Sequence, residues 1–168
     1  MNINVIGGAD GPTSIFVAGQ LGPRWIDIVG LVIVLLIMLP NIVYAVKFHG
    51  LENKCKNRGM NNLEQIGRYA SMFFMTFHIG LAEFGFSSVE TFIIYMTGNV
   101  IFIIAYWIIW ITYFANVKFW KSMALAIIPT IIFLTSGITS RRYLLVVSAI
   151  VFGIGHVYVT YQNAKAIS

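Results

Sequence analysis

The residues with the most specific chemistry lie at the front of the chain, in Gly7-Gly8-Ala9-Asp10-Gly11-Pro12-Thr13, followed by the short apolar run Ser14 to Gly19. Three glycines and a proline around one carboxylate describe backbone that cannot continue a helix. An unwound stretch at membrane depth leaves carbonyl oxygens without helical partners, and a hard cation can satisfy them while a carboxylate balances its charge. Asp10 is the one carboxylate in this loop. Thr13 or Ser14 can also cap a helix of about two turns, far short of the ~20 residues that cross a bilayer, so this piece reads as interfacial or re-entrant.

The elements that would position such a site are hydrophobic. Of the 168 residues 58% are hydrophobic and 10% charged, and the mean hydropathy is +0.82. A soluble domain carries roughly 25% charged residues. The expected architecture is an all-α integral membrane protein in one domain: a motif-bearing segment over 1–24 and a bundle of five transmembrane helices over 25–168. The net charge of +5 does not point to nucleic acid, because the basic residues are scattered over short connections without a basic groove. Cys55 is the single cysteine, which excludes an intrachain disulfide and reads as a free cytosolic thiol.

The five spans are read at about Trp25 to Val46, Arg68 to Phe84, Thr91 to Phe114, Trp120 to Ile138 and Tyr143 to Tyr161. Pro40 removes a backbone bond from the first, and Asn41 can re-satisfy a freed carbonyl. The stretch Lys47 to Gly67 reads as one long polar connection. With the N-terminus outside, Lys47, Lys54, Lys56, Arg58, Arg68, Lys118, Lys121 and Lys165 are cytoplasmic, against Arg24, Arg141 and Arg142 outside. That excess predicts a plasma-membrane protein with a cytoplasmic C-terminus.

Five polar side chains at membrane depth are possible partners of an ion site: Asn41, His78, Glu83, Asn99 and His156. His78 and His156 form one candidate pair for a proton relay, since ionisable groups in apolar surroundings are costly and often functional. The plainer reading is two neutral, hydrogen-bonded histidines, because two without carboxylate company are not a metal set. Glu83 lies about one and a half turns beyond His78 and is its natural partner, or else an ordinary boundary carboxylate. Asn41 and Asn99 read first as interhelical hydrogen-bonders, and Gly153 with Gly155 as a close-packing face. No nucleophilic triad, zinc motif, phosphate loop or dinucleotide fingerprint is present, which disfavours catalytic chemistry in this chain alone.

Residues Val5 to Gly19 resemble the broken-helix segment of the beta subunits of bacterial sodium-pumping carboxylate decarboxylases. The resemblance covers about fifteen of the 168 residues. It implies sodium as the bound ion and Asp10 as the residue that binds it and couples it to decarboxylation, with the backbone of Gly8, Ala9 and Gly11 and the hydroxyl of Thr13 as candidate supports. In that family the segment lies in mid-chain between half-helices, and Trp25 to Ser168 match none of the family's other parts. The rest of the ion's coordination would have to come from the bundle or from a partner chain. The expectation is thus a sodium-coupled transport or pump-related subunit in the lipid bilayer, associated with other subunits or with copies of itself. The alternative is a non-transporting scaffold or accessory protein whose front motif is structural.

Overall fold

The computed structural model describes residues 25–47 and 53–165. These form five helices: α1 (Ile28–Lys47), α2 (Arg58–Thr76), α3 (Val89–Ala115), α4 (Phe119–Thr139) and α5 (Tyr143–Lys165). Among the described residues there are no strands beyond two isolated bridges, Ile26 with Phe77 and Glu83 with Arg142. Consecutive helices run in opposite directions: Gly30 meets Met75 and Gly137 meets Val146, Asn99 meets Ser136, and Asn41 with Tyr106 sets α1 and α3 side by side in the same direction. One end of the bundle gathers the start of α1, the connection 77–88 and the α4–α5 turn. The other gathers the end of α1, the start of α2, the α3–α4 turn and the end of α5, and with them Lys47, Lys54, Lys56, Arg58, Lys118, Lys121 and Lys165.

Four of the helices, α1, α3, α4 and α5, are long and apolar enough to cross a membrane. Helix α2 is different and corrects the expected second span. It begins ten residues before Arg68 and ends at Thr76, eight before Phe84. Asn57 starts it, accepting a hydrogen bond from the Met60 amide at 3.2 Å, so the second half of the supposed polar connection is helical. Glu64, Gly67, Ser71 and Met75 are buried, a stripe spaced by three and four residues that faces α5. Its outward face is polar at Arg58, Asn62 and Gln65 and apolar at Ile66, Tyr69 and Phe73. Reading for apolar length misses such a helix, because its burial comes from a stripe and not from a continuous hydrophobic run.

Helix α2 packs closely on both sides: in the α1–α2 seam a Cβ on Gly30 would lie 2.0 Å from the Met75 carbonyl oxygen, and the α2–α5 seam is close along its length. A Cβ on Gly67 would lie 2.4 Å from the Phe152 nitrogen, and one on Gly155 would lie 2.6 Å from the Glu64 nitrogen. Ser71 and Ser148 meet hydroxyl to hydroxyl at 3.3 Å in the same seam. On the other side of α5, a Cβ on Gly153 would lie 2.5 Å from the Thr130 methyl. The close-packing role expected of Gly153 and Gly155 is thus divided between two neighbours, α4 and α2.

Backbone groups freed inside the helices find side-chain donors, as apolar surroundings require. Pro40 deprives the Leu36 carbonyl of its helical partner, and the Trp107 indole of α3 donates to that oxygen at 3.0 Å. Asn41 bonds the neighbouring Ile37 carbonyl at 2.8 Å, so the expected repair is shared between two residues. At the end of α3 the buried Lys121 ammonium donates to the carbonyls of Thr112 and Asn116, at 2.7 and 3.0 Å. A cation on the last carbonyls of a helix also meets the negative end of its dipole. The start of α3 is closed by a reciprocal cap between Ser88 and Thr91.

Candidate functional site

The polar side chains gather at three separate stations. The first closes the end of the bundle where α1 starts. Phe77 is extended and leaves α2, and Gly80, Ala82 and Gly85 turn the connection 77–88 with positive φ. Arg142, 6% exposed, reaches into this corner. Its Nη2 donates to Asp27 at 2.5 Å and to His78 Nε2 at 3.1 Å, and its Nη1 donates to the Met75 carbonyl at 3.3 Å. A guanidinium only donates, so His78 Nε2 accepts and Nδ1–H donates to Glu83 at 2.9 Å. Glu83 in turn accepts from the Ile79 amide at 3.1 Å, and Asp27 from the Gly30 amide at 2.9 Å. Every polar group of this cluster is engaged, which makes it a clasp across four elements.

The second station is small. Asn99 of α3 donates to the Tyr95 carbonyl at 2.8 Å and exchanges hydrogen bonds with the buried Ser136 of α4 at 3.1 Å. It joins two helices, which is the plainer of its two sequence readings.

The third station surrounds a cavity of about 570 Å³ at the basic end. Its polar walls are Asn41 of α1, Ser122 of α4, His156, Thr160 and Asn163 of α5, and Asn53 with Lys54 of the connection before α2. Its apolar walls are the rings of Tyr44, Trp110 and Tyr113, with Leu125, Ala126 and Ala164. The exposed Asn53 and Lys54 form its rim, held to α5 where the Lys54 amide donates to Asn163 at 2.9 Å. No carboxylate is among the described lining residues.

Two groups give this cavity chemical capacity. Behind the wall Glu64, 5% exposed, is paired with Arg68 and accepts from His156 Nδ1 at 2.8 Å. The imidazole is also stacked on Phe152, ring centre to ring centre 4.7 Å. A carboxylate on one ring nitrogen fixes the tautomer and orientation and leaves the other nitrogen for a ligand. His156 Nε2 makes no hydrogen bond among the described residues. The second group is Trp110, 6% exposed, whose ring forms part of the wall while its Nε1–H is closed off from the cavity without an acceptor. An unmet buried donor is uncommon and costs about 1–3 kcal/mol.

The sequence-derived candidates are thus distributed, not assembled. Asp10, Gly8, Ala9, Gly11 and Thr13 lie outside the described residues. Asn41 and His156 line the cavity, Asn99 lies elsewhere in the bundle, and His78 with Glu83 forms part of the opposite clasp. The pairing of His78 with Glu83 is as expected, although His78 sits in a connection and not on a span. The proposed pairing of His78 with His156 is corrected: Arg142, which touches His78, lies fourteen residues before His156 on α5, about 21 Å along the axis. Asp27, Glu64, Arg68, Trp110 and Arg142 were not singled out from the sequence. Glu64 carried a signal, being four residues before Arg68 and on the Gly67–Ser71 face. Among the described residues no group of three histidine, cysteine or carboxylate side chains could hold a metal.

No protein-family model matches the chain, and neither a characterised protein nor a solved structure matches it. The five helices of the described residues, four of them long and apolar enough to cross a membrane, place it among the helical membrane proteins.

Proposed function

We propose that the protein is a small solute-binding membrane protein of the transport class, with the cavity between α1, α3, α4 and α5 as its ligand site. The observation that supports this most directly is the cavity of about 570 Å³ itself, whose walls combine the amides of Asn41 and Asn163, the hydroxyls of Ser122 and Thr160 and the imidazole of His156 with the rings of Tyr44, Trp110 and Tyr113. Ligand pockets combine apolar walls with a few convergent polar groups in this way, and occur between the helices of bundles. The excess of lysine and arginine at the same end makes it cytoplasmic by the positive-inside rule, so the cavity opens to the cytoplasm while the Arg142 clasp closes the outer end. A reporter fused after Ser168 checks that orientation, and activity on the outer side refutes it.

The experiment is a thermal-shift panel on the purified full chain, covering amino acids, carboxylates, amines and nucleosides. A solute present at a hundred times its Kd stabilises by about 2.7 kcal/mol, a shift of several degrees. Wild type is expected to respond to at least one class. Ser122→Phe and Ala126→Phe, which fill the cavity, are expected to respond to none. A wild type indifferent to the whole panel, or fillers that respond equally, overturns the reading.

A second reading, a sodium site at Asp10, rests on the Gly7 to Thr13 motif alone. Sodium is expected to raise the melting temperature of wild type above that in potassium, and to leave Asp10→Asn unmoved. An equal rise in both removes Asp10 as a ligand.

A further inference from the structure

The cavity's chemistry also narrows its ligand, an inference that rests on the solute-binding reading above. We infer that the site takes a small organic carboxylate with an apolar body, bound together with one proton shared between its carboxylate and His156 Nε2.

The argument begins from what the lining offers. The rim carries the positive charge of Lys54, which favours an anion. Asn41 donates both its amide hydrogens, to Ile37 and Tyr106, and keeps only its oxygen for a ligand, Asn163 accepts from the Lys54 amide and keeps its N–H donors, and the hydroxyls of Ser122 and Thr160 take either role. No described lining residue is acidic, so an organic cation would enter without a counter-charge. The rings of Tyr44, Trp110 and Tyr113, with Leu125 and Ala126, suit an apolar body.

His156 then decides the protonation state. Its Nδ1–H is committed to Glu64 at 2.8 Å, and Glu64 is shared with Arg68. Nε2 can therefore meet a carboxylate only when one proton lies between them, on the ring or on the ligand. In either description that bond is charge-assisted and stronger than its neutral counterpart. The titratable and charged groups around His156 are Glu64 and Arg68 from α2, Lys54 from the connection, Tyr44 from α1 and Tyr113 from α3; the nearby α4 wall, Ser122, Leu125 and Ala126, carries none. Where the free ligand is ionised and the free imidazole neutral, binding takes up one proton from solvent water. By linkage the affinity falls tenfold for each unit of rising pH.

The test is calorimetric titration of the purified full chain with benzoate, indole-3-acetate and octanoate, each beside its primary amide, in two buffers of different ionisation enthalpy. At least one carboxylate is expected to bind tenfold or more tighter than its amide at pH 6. Its uptake at pH 8.5 is expected to approach one proton per ligand, with Kd about tenfold weaker than at pH 7.5. His156→Gln is expected to abolish the uptake and to weaken the carboxylate at least tenfold more than it weakens the amide, a split that a merely structural role would not produce. Glu64→Gln, which keeps shape but not charge, is expected to reduce the uptake without abolishing binding. Equal binding of acid and amide, or no proton uptake, overturns the carboxylate inference and leaves the cavity reading intact. If none of the six binds while another solute class stabilises the protein, the carboxylate inference falls alone. If nothing in either experiment binds, both fall.

Discussion

Replacing Gly67 by alanine is expected to destabilise the protein by about 3 kcal/mol, at the upper end of what overpacking costs, and Gly67→Val to prevent accumulation of a monodisperse protein. The added Cβ would lie 2.4 Å from the Phe152 nitrogen, 2.5 Å from its Cα and 2.9 Å from its Cβ. Two of those atoms are backbone, so no rotamer change relieves the overlap and α2 must move away from α5. That movement would separate Ser71 from Ser148 and draw Glu64 away from His156, since all lie on one seam. Gly98→Ala is the matched control. It too is helical, but nothing lies within 4 Å of the added Cβ, and glycine is the poorer helix former by about 1 kcal/mol. Its melting temperature is expected to be unchanged or higher. Melting in detergent, followed by size-exclusion chromatography, measures both. A Gly67→Ala variant as stable as wild type would show that the helices do not approach this closely.

The second large effect is expected at Arg142. Arg142→Met keeps the length and removes the charge, leaving the Asp27 carboxylate without its partner and the Phe74 and Met75 carbonyls without a donor. Breaking a buried pair by removing one member costs about 3–5 kcal/mol. The residual charge is the main cause, so Asp27→Asn in the same chain is expected to recover a substantial part of the loss. Arg142→Lys should not rescue, because one ammonium cannot span Asp27, His78 and two carbonyls as the planar guanidinium does. Denaturation of the two single variants and the double gives the coupling directly. Additive losses would mean that the pair is not the clasp. The same variant is expected to leave Tyr44, Trp110 and Tyr113 in place, since they pack at the other end, with ring centres 5.2 to 6.0 Å apart.

The architecture was largely legible because four helices announce themselves by continuous apolar length. Their observed ends fall within four residues of the expected ones, where Ser88 or Pro-free apolar runs mark the start. Helix α2 was misplaced because its apolar residues are intermixed with Asn62, Glu64, Gln65 and Arg68, and because Phe77, Ile79, Leu81 and Phe84 extend the apolar stretch beyond its true end. What ends it is geometry, with Phe77 extended against Ile26 and three positive-φ residues after it. The orientation of the basic residues was readable for the same reason as the spans: charges stand at helix ends when the middles are apolar.

The candidate site was only partly legible. Asn41 and His156 were recognisable as polar groups inside apolar runs, but their functional company was not. Glu64 stands 92 positions from His156, and Trp110 is one of several aromatic residues in the second half of α3. The intrinsic tendencies of residues thus determined the membrane class, the helix count and the end of the molecule where positive charge collects, because solvation acts on each segment separately. Which polar groups meet was decided by tertiary structure alone. Glycines set how closely α2 and α5 approach, and that distance, together with the helical phase of each residue, brings Glu64 to His156 and sends His78 to Arg142 instead.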